Sequence, residues 1–586
     1  MPDNRNLLLA IVISIGILLI FNMMMPPPEP PAEQAGAPGV PPAPGAATGA
    51  IPTPGAQPTP SGAVPGSGPS RASGPAVTQA TGAAQAPRIP IEDARLEGSI
   101  SLIGARIDSI TLRDYRETPD PDSPLITLLS PPGTRGAFYA ELGWVAADGA
   151  TPMPAGNTLW ATGDRTLTRE RPLKLSWDNG AGLRFTRIVE LADDFLLTVE
   201  QSVANNTAAP VKLYPYGLVS RAGTPETSGF FILHEGPLGV LDETLQEHDY
   251  DDLVDDGEIR AENTTGWLGI TDKYWLTALV PEPGETFTAR FLHRLEQGID
   301  KYQTDYLRAA VTVPPGGRAT VRNHIFAGAK KAHLLDRYRD DLDFDKFDLA
   351  IDFGWFYFLT KPFFYALSWL QGVLGNFGLA ILALTVAIKL VFFPLANKSY
   401  RSMSQMKALQ PEMVKLRERF SDDRQKLNQE MMALYKREKV NPAAGCLPIL
   451  IQIPVFFALY KVLFVAIEMR HAPFYGWIED LSAVDPTNLF TLFGLVDWGP
   501  PSFLHLGIWP ILMGVSMWAQ MRLNPTPADP IQAKIFQFMP LVFTFLLATF
   551  PAGLVIYWTW NNLLSMAQQW VIMRRAGVTR ATAGKT

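Results

Sequence analysis

Hydrophobic positions along this chain follow two rhythms, and the change comes near residue 354. Between residue 91 and about 315, apolar and polar residues alternate in short runs such as ISLIGARIDSITL, LKLSWDNGAGLRFTRIVEL, FLLTVEQSVANN and FTARFLHRL. Asp-Asn-Gly and Pro-Gly breaks separate them. A period of two puts one side-chain set on each face of a strand, and the breaks turn the chain, so an all-β sandwich is expected. Beyond Gly354 the alternation gives way to long apolar runs at 377–396, 443–467, 503–521, 535–550 and 552–573, and another occupies 7–25. A helix crosses a bilayer core with about 20 apolar residues. The pattern therefore predicts six transmembrane helices, five of them in a C-terminal core.

Composition divides the chain further. Residues 26–90 hold 18 of its 51 prolines, mixed with Gly, Ala, Ser and Thr. Such a segment cannot bury a core and is expected as a disordered linker. It joins an uncleaved N-terminal anchor at 1–25, with no small-x-small cleavage site before MMMPPPEPP, to a β-sandwich domain at 91–330. A connector and an aromatic-rich interfacial helix follow at 331–374. The five-span core is placed at 375–573, interrupted by a helical hairpin at 397–442, and a basic tail at 574–586 closes the chain. Charge sets the sidedness. Residues 26–353 carry 28 Lys+Arg against 44 Asp+Glu, and the remainder 22 against 13. The 397–442 loop has 11 Lys+Arg, whereas the 468–502 loop has only Arg470. Positive loops stay inside, so both termini are expected in the cytoplasm and the β-domain outside. The acidic middle and basic remainder fit two compartments rather than a specific nucleic-acid surface. The lone Cys446 excludes an intramolecular disulfide and reads as a small buried hydrophobe.

Candidate chemistry begins with Lys389. It stands alone within FGLAILALTVAIKLVFFPLA, eight residues from Asn397, or about 12 Å at the helical rise. A lysine stem recovers only part of that depth, and an ammonium in hydrocarbon costs from about 3 to more than 10 kcal/mol. The apolar runs hold no Asp or Glu to neutralise it. Thr385 shares its helical face, and Gln452, Tyr557, Trp558, Asn561 and Ser565 add polarity on other spans, so a water-filled cavity is expected. Lys461 lies nearer the outer end, within reach of Glu468 and water. In the basic loop, Met403, Met406 and Met413 recur at helical spacing, Met431 and Met432 lie on the return, and Asp422 is the expected N-cap of the second helix. A self-packed hairpin follows, with a methionine-rich surface able to meet varied apolar partners. The acidic stretch 242–258 lacks calcium-loop spacing and reads as a solvated loop. No nucleotide-binding or hydrolase motif occurs, and no metal or cofactor is expected.

Three long segments carry a family resemblance. LQPEMVKLRERFSDDRQKLNQEMMALYKREKVNPAAGCLPILIQIPVFFALY and TFPAGLVIYWTWNNLLSMAQQ resemble the YidC family of membrane protein insertases, and GWLGITDKYWLTALVP resembles a periplasmic motif of its Gram-negative members. The resemblance spans nearly all of residues 1–24 and 91–575. It implies a multi-pass protein of the bacterial inner membrane with a hydrophilic groove open to cytoplasm and lipid, in which a cationic residue, usually arginine, receives polar parts of an incoming chain. Lys389 matches that position, keeping the charge without the planar fork. Gln452, Tyr557 and Trp558 match groove positions, and Ile453 and Phe456 match a surface along which a substrate helix slides into lipid. The implied partners are nascent membrane proteins, the ribosome, the Sec translocon and membrane lipid. The β-domain resembles sugar-epimerase-like sandwiches, without grounds for enzyme activity. Two rivals stand beside the insertase: a solute transporter or channel with an intramembrane anion site, and a membrane-held glycan-modifying enzyme.

Overall fold

The computed structural model describes residues 86–575 except 193, 228–232, 355, 421–422, 439, 441–446, 497, 499–500, 502–504 and 524–529. The expected anchor, most of the linker, Cys446, Asp422 and the tail beyond Arg575 lie outside the described residues. Strand structure begins at Arg88–Glu92, inside the stretch assigned to the linker, because Ile89 and Ile91 already alternate inward.

Two antiparallel sheets form the β-domain. The first runs in the order Arg88–Glu92, Leu96–Ser101, Ile107–Arg116, Phe138–Ala146, Val211–Ala222, Ile299–Arg308, Phe287–Glu296, Glu258–Thr264. The second runs Thr244–Glu247, Gly236–Leu241, Gly266–Thr271, Trp275–Pro281, Arg318–Ala329, Leu196–Asn205, Leu183–Leu191, Leu173–Asp178. Their inner faces share one core: Ile110, Ala140, Val219 and Phe291 from the first meet Phe185, Val199, Leu276 and Ile325 from the second. The acidic stretch is not a plain loop. It contains the Thr244–Glu247 strand and helix α1 (Tyr250–Asp256), because Tyr250 and Leu253 fall on one face and are buried, leaving the carboxylates outside.

Helix α2 (Ala332–Asp341) leads into α3 (Tyr357–Leu374) and α4 (Phe377–Val391), which meet at a bend of 120°. Gly375 makes the bend with φ of 70°, a left-handed conformation that costs a glycine little. Asn376 then caps α4, its Oδ1 accepting from Leu379 N at 3.0 Å. The apolar run 377–396 does not form one helix. It breaks at Phe392, and α5 (Phe393–Ala408) starts afresh with Pro394 in its first turn, where a missing N–H does no harm. The hairpin continues through α6 (Gln410–Arg419) and α7 (Arg424–Arg437). The cap of α7 is Asp423, accepting from Lys426 N at 3.0 Å, one residue past the expected Asp422. Met413 and Leu434 are buried in its seam, Met403, Met406 and Met431 are half-buried, and Met432 is 52% exposed.

Helices α8 (Leu447–Val465), α9 (Ile508–Leu523), α10 (Pro530–Leu546) and α11 (Ala552–Arg575) complete the core. Helix α11 packs on α4, α5, α8 and α9. A Cβ on Gly514 would collide with Thr544 Oγ1, so the glycine sets how closely α9 and α10 approach. Large apolar side chains project outward all round: Trp369 and Val373 on α3, Val391 on α4, Val515 and Trp518 on α9, Phe538 and Val542 on α10. A patch of that extent calls for an apolar surrounding. Among the described residues no single helix is long and apolar enough to cross a membrane, although the bent pair α3–α4 passes the test together. Asn561, Asn562, Gln568 and Gln569 lower the hydropathy of α11, the longest of them.

Candidate functional site

Three lysines on or beside apolar helices show what the fold does with buried ammonium groups. Lys361 in α3 donates to Asp336 at 2.7 Å and Asp348 at 2.6 Å. Burial opposes its charge, but those hydrogen bonds win and raise the ammonium above its ordinary range; they hold Asp348 below its own, against burial. Lys461 in α8 pairs with Asp352 at 2.6 Å. Its carboxylate is therefore not Glu468, whose Oε1 instead accepts from Ala332 N at 3.2 Å. Lys389 differs. Its Nζ donates to Ser565 Oγ at 2.9 Å and reaches Gln452 Oε1 at 3.5 Å, both neutral.

Lys389 lines a cavity of about 480 Å³ between α4, α5, α8, α9, α10 and α11. Gln452, Ile453, Phe456, Tyr557, Trp558 and Asn561 share its wall. No carboxylate appears among the described lining residues. A chain of neutral dipoles surrounds the ammonium: Ser565 Oγ donates to Asn561 O at 2.7 Å, and Gln452 Nε2 donates to the Tyr557 hydroxyl. The Oδ1 of Asn561 is buried without a protein partner, which leaves an acceptor for water or an incoming N–H group. Thr385 does not reach this wall. It sits one turn nearer the start of α4, buried, with its hydroxyl donating to Ile381 O at 2.6 Å, because a threonine in an apolar helix satisfies itself on the preceding turn.

The apolar side of the cavity is layered. Trp558 lies between Phe456 at 4.6 Å and Phe543 at 5.9 Å, and Phe456 stacks on Tyr460 at 6.2 Å. Phe456 is thus half-buried, whereas its neighbours Ile453 and Phe457 are each 44% exposed and face outward. Phe457 was not singled out from the sequence, although it is adjacent to the matched position. Tyr400 was also missed. It belongs to the hairpin in sequence, yet α5 carries it back to the cavity wall. Ser565 itself was legible, lying eight residues after Tyr557 and thus on nearly the same face.

The 60Kd inner membrane protein family matches residues 369–579, and the YidC periplasmic domain matches residues 88–366. A protein of Nitrobacter hamburgensis named membrane protein insertase YidC is 52% identical, covering 99% of this chain and 96% of its own. One of the same name from Methylobacterium nodulans is 49% identical, covering 98% and 96%. The crystal structure of an active YidC insertase with its first transmembrane domain resolved is 16% identical, with a TM-score of 0.33, over 82% of this chain and 94% of that one. Identity near one half over almost the whole length leaves no large segment outside the match, and the chain belongs to the YidC family of membrane protein insertases.

Proposed function

We propose that this protein inserts inner-membrane proteins and helps them fold without consuming nucleotide, using the Lys389 cavity as the transient seat of a substrate's hydrophilic flank. The five runs after residue 375 and the one at 7–25 serve as six spans, with both termini cytoplasmic and the β-domain periplasmic. The boundaries given from the sequence are retained, save that the β-domain starts at Arg88. A short flank enters from the cytoplasm, and its acidic or carbonyl groups are drawn to Lys389. Gln452, Tyr557, Asn561 and Ser565 replace part of its hydration. The following apolar segment passes along Ile453, Phe456 and Phe457 into lipid, gaining about 0.8 kcal/mol per buried methylene. The methionine surface of the hairpin (Met403, Met406, Met413, Met431 and Met432) and the basic tail are the proposed meeting points for the nascent chain, the ribosome and the Sec translocon.

One observation carries this reading. Lys389 is a cation set in a cavity whose described wall offers it only neutral partners, while Lys461 and Lys361 each have carboxylates. An uncompensated charge is available to a visiting group. The test is complementation of insertase depletion, following a radiolabelled single-span substrate with an acidic flank. Lys389→Arg should sustain insertion, and Lys389→Ala should reduce it several-fold for the acidic-flanked substrate and less for a neutral one. Full activity of the alanine variant would remove the charge from the mechanism.

A further inference from the structure

The segment between α8 and α10 that precedes α9 plays no part in the proposed insertion path, and its physical character is unusual. From Leu489 to Val496 the sequence LFTLFGLV holds no charged residue. Leu489–Gly494 forms a short 3-10 helix, and Leu489, Phe490, Leu492, Leu495, Val496 and Trp498 are exposed, Leu495 at 86%. Free apolar loops normally fold back on themselves. This one is prevented from doing so.

The restraint comes from two buried polar residues. Asp485 Oδ1 accepts from Trp477 Nε1 at 3.0 Å, Thr487 N at 3.0 Å and Thr487 Oγ1 at 2.7 Å, while Oδ2 accepts from Trp509 N at 2.9 Å. Its carbonyl accepts from His505 Nε2 at 2.7 Å. Asn488 Oδ1 accepts from Phe490 N at 3.0 Å, and Leu489 N bonds Leu506 O at 2.8 Å. Trp498 Nε1 is used up on Phe490 O at 2.8 Å, so its ring offers carbon edges to whatever lies outside. The loop is therefore stapled to the outer end of α9 with its apolar side turned away from the protein.

We infer that this loop is an anchor seated in the outer leaflet, at the boundary between headgroups and acyl chains, with phospholipid as its partner. The inference rests on the proposed topology, which puts residues 468–502 outside. Continuity supports lipid over a protein partner. Trp509 is tied to Asp485, and the exposed Leu512, Val515 and Trp518 carry the same apolar surface down α9 from that point. Tyr475 and Trp477, also exposed, add the aromatic character of a membrane–water interface. With no charge from Leu489 to Val496, and only the acidic Asp497 before Trp498, the loop owes its attraction to area, not to anionic headgroups.

The experiment uses the full chain with Cys446→Ser, carrying an environment-sensitive fluorophore on Leu495→Cys. The protein is reconstituted in phosphatidylethanolamine–phosphatidylglycerol vesicles. Blue-shifted emission, resistance to iodide and quenching by nitroxide-bearing lipids are expected, matching a label on Val515→Cys. Water-like emission quenched by iodide would overturn the anchor. Blue-shifted emission that lipid nitroxides do not quench would also overturn it, pointing to a second copy of the chain. Separately, Glu243→Cys on the β-domain should react with an impermeant maleimide in intact spheroplasts. If it reacts only after lysis, the outer-leaflet assignment falls together with the topology, whatever the depth at Leu495.

Discussion

Lys361, Lys461 and Lys389 are separated less by depth than by what faces them, and the Lys361 cluster carries a pH signature. Asp348 is held below its ordinary 3.8, so its contribution is complete above that value and is lost only as pH falls through the lower folded value. Lys361 is raised above 10.5, so its share is complete below that value and is lost only as pH rises through the folded one. Lys361→Met should therefore lower stability throughout the range between, by about 1–3 kcal/mol for the carboxylates left short of a donor. Thermal unfolding in detergent at pH 5, 7 and 9 checks it; a loss confined to one pH would refute the assignment. Sequence reading separates these lysines only partly. The solitude of Lys389 is visible because the apolar runs contain no carboxylate. The partner of Lys461 is invisible because Asp352 lies 109 positions away, brought near by folding alone.

At the scale of elements, the hairpin divides its side chains between holding itself together and facing outward. Met413 and Leu434 are buried in the α6–α7 seam, and the Tyr435 hydroxyl reaches Met413 Sδ at 3.9 Å. Leu434→Ala should cost about 2–4 kcal/mol and speed amide exchange along both helices. Met432→Ala, at an exposed position, should leave exchange unchanged and weaken only capture of apolar nascent chains. Equal effects from the two would mean that the seam is not where we place it. The hairpin was legible from its 3.6-residue period, and so were the strands from their alternation. The break at Phe392 and the turn at Gly375 were harder to read. An apolar run shows where lipid or core is met, but not where the helix axis changes direction. Pro394 and Gly375 are the local signals, and each also occurs where nothing bends.

In the whole molecule, the β-domain is bound to the core rather than merely tethered to it. Arg470 Nη2 donates to Arg116 O at 2.6 Å and Glu117 O at 3.1 Å, and Lys273 Nζ lies 3.7 Å from the Phe464 ring centroid. No periodicity predicts such docking, since its partners lie more than 180 residues apart in the chain. Lys330 is buried near this junction, donating to Thr271 Oγ1 at 2.9 Å. Burial draws its ammonium down to about 8 from 10.5, against the pull of Asp272 and Asp352. Between those values the unfolded chain binds more protons, so stability rises with pH across that window. Lys330→Met should flatten part of the rise while leaving the protein at least as stable at pH 7. Denaturant midpoints of β-domain tryptophan fluorescence measure this, and an unchanged slope would show that Lys330 is not its source.

One further consequence follows from what lies outward of Lys389. Tyr557 is buried, and beyond it Ile381, Leu384, Leu459, Leu554 and Ile556 are buried in the same apolar cluster, where the one nearby hydroxyl, of Thr385, is spent on Ile381 O. If the Lys389 cavity is hydrated as proposed, a recess that stops against this apolar layer would offer sodium and protons no way through. On the proposed function, the cell would thereby keep a wet entry port in its energy-coupling membrane without short-circuiting the gradients stored across it.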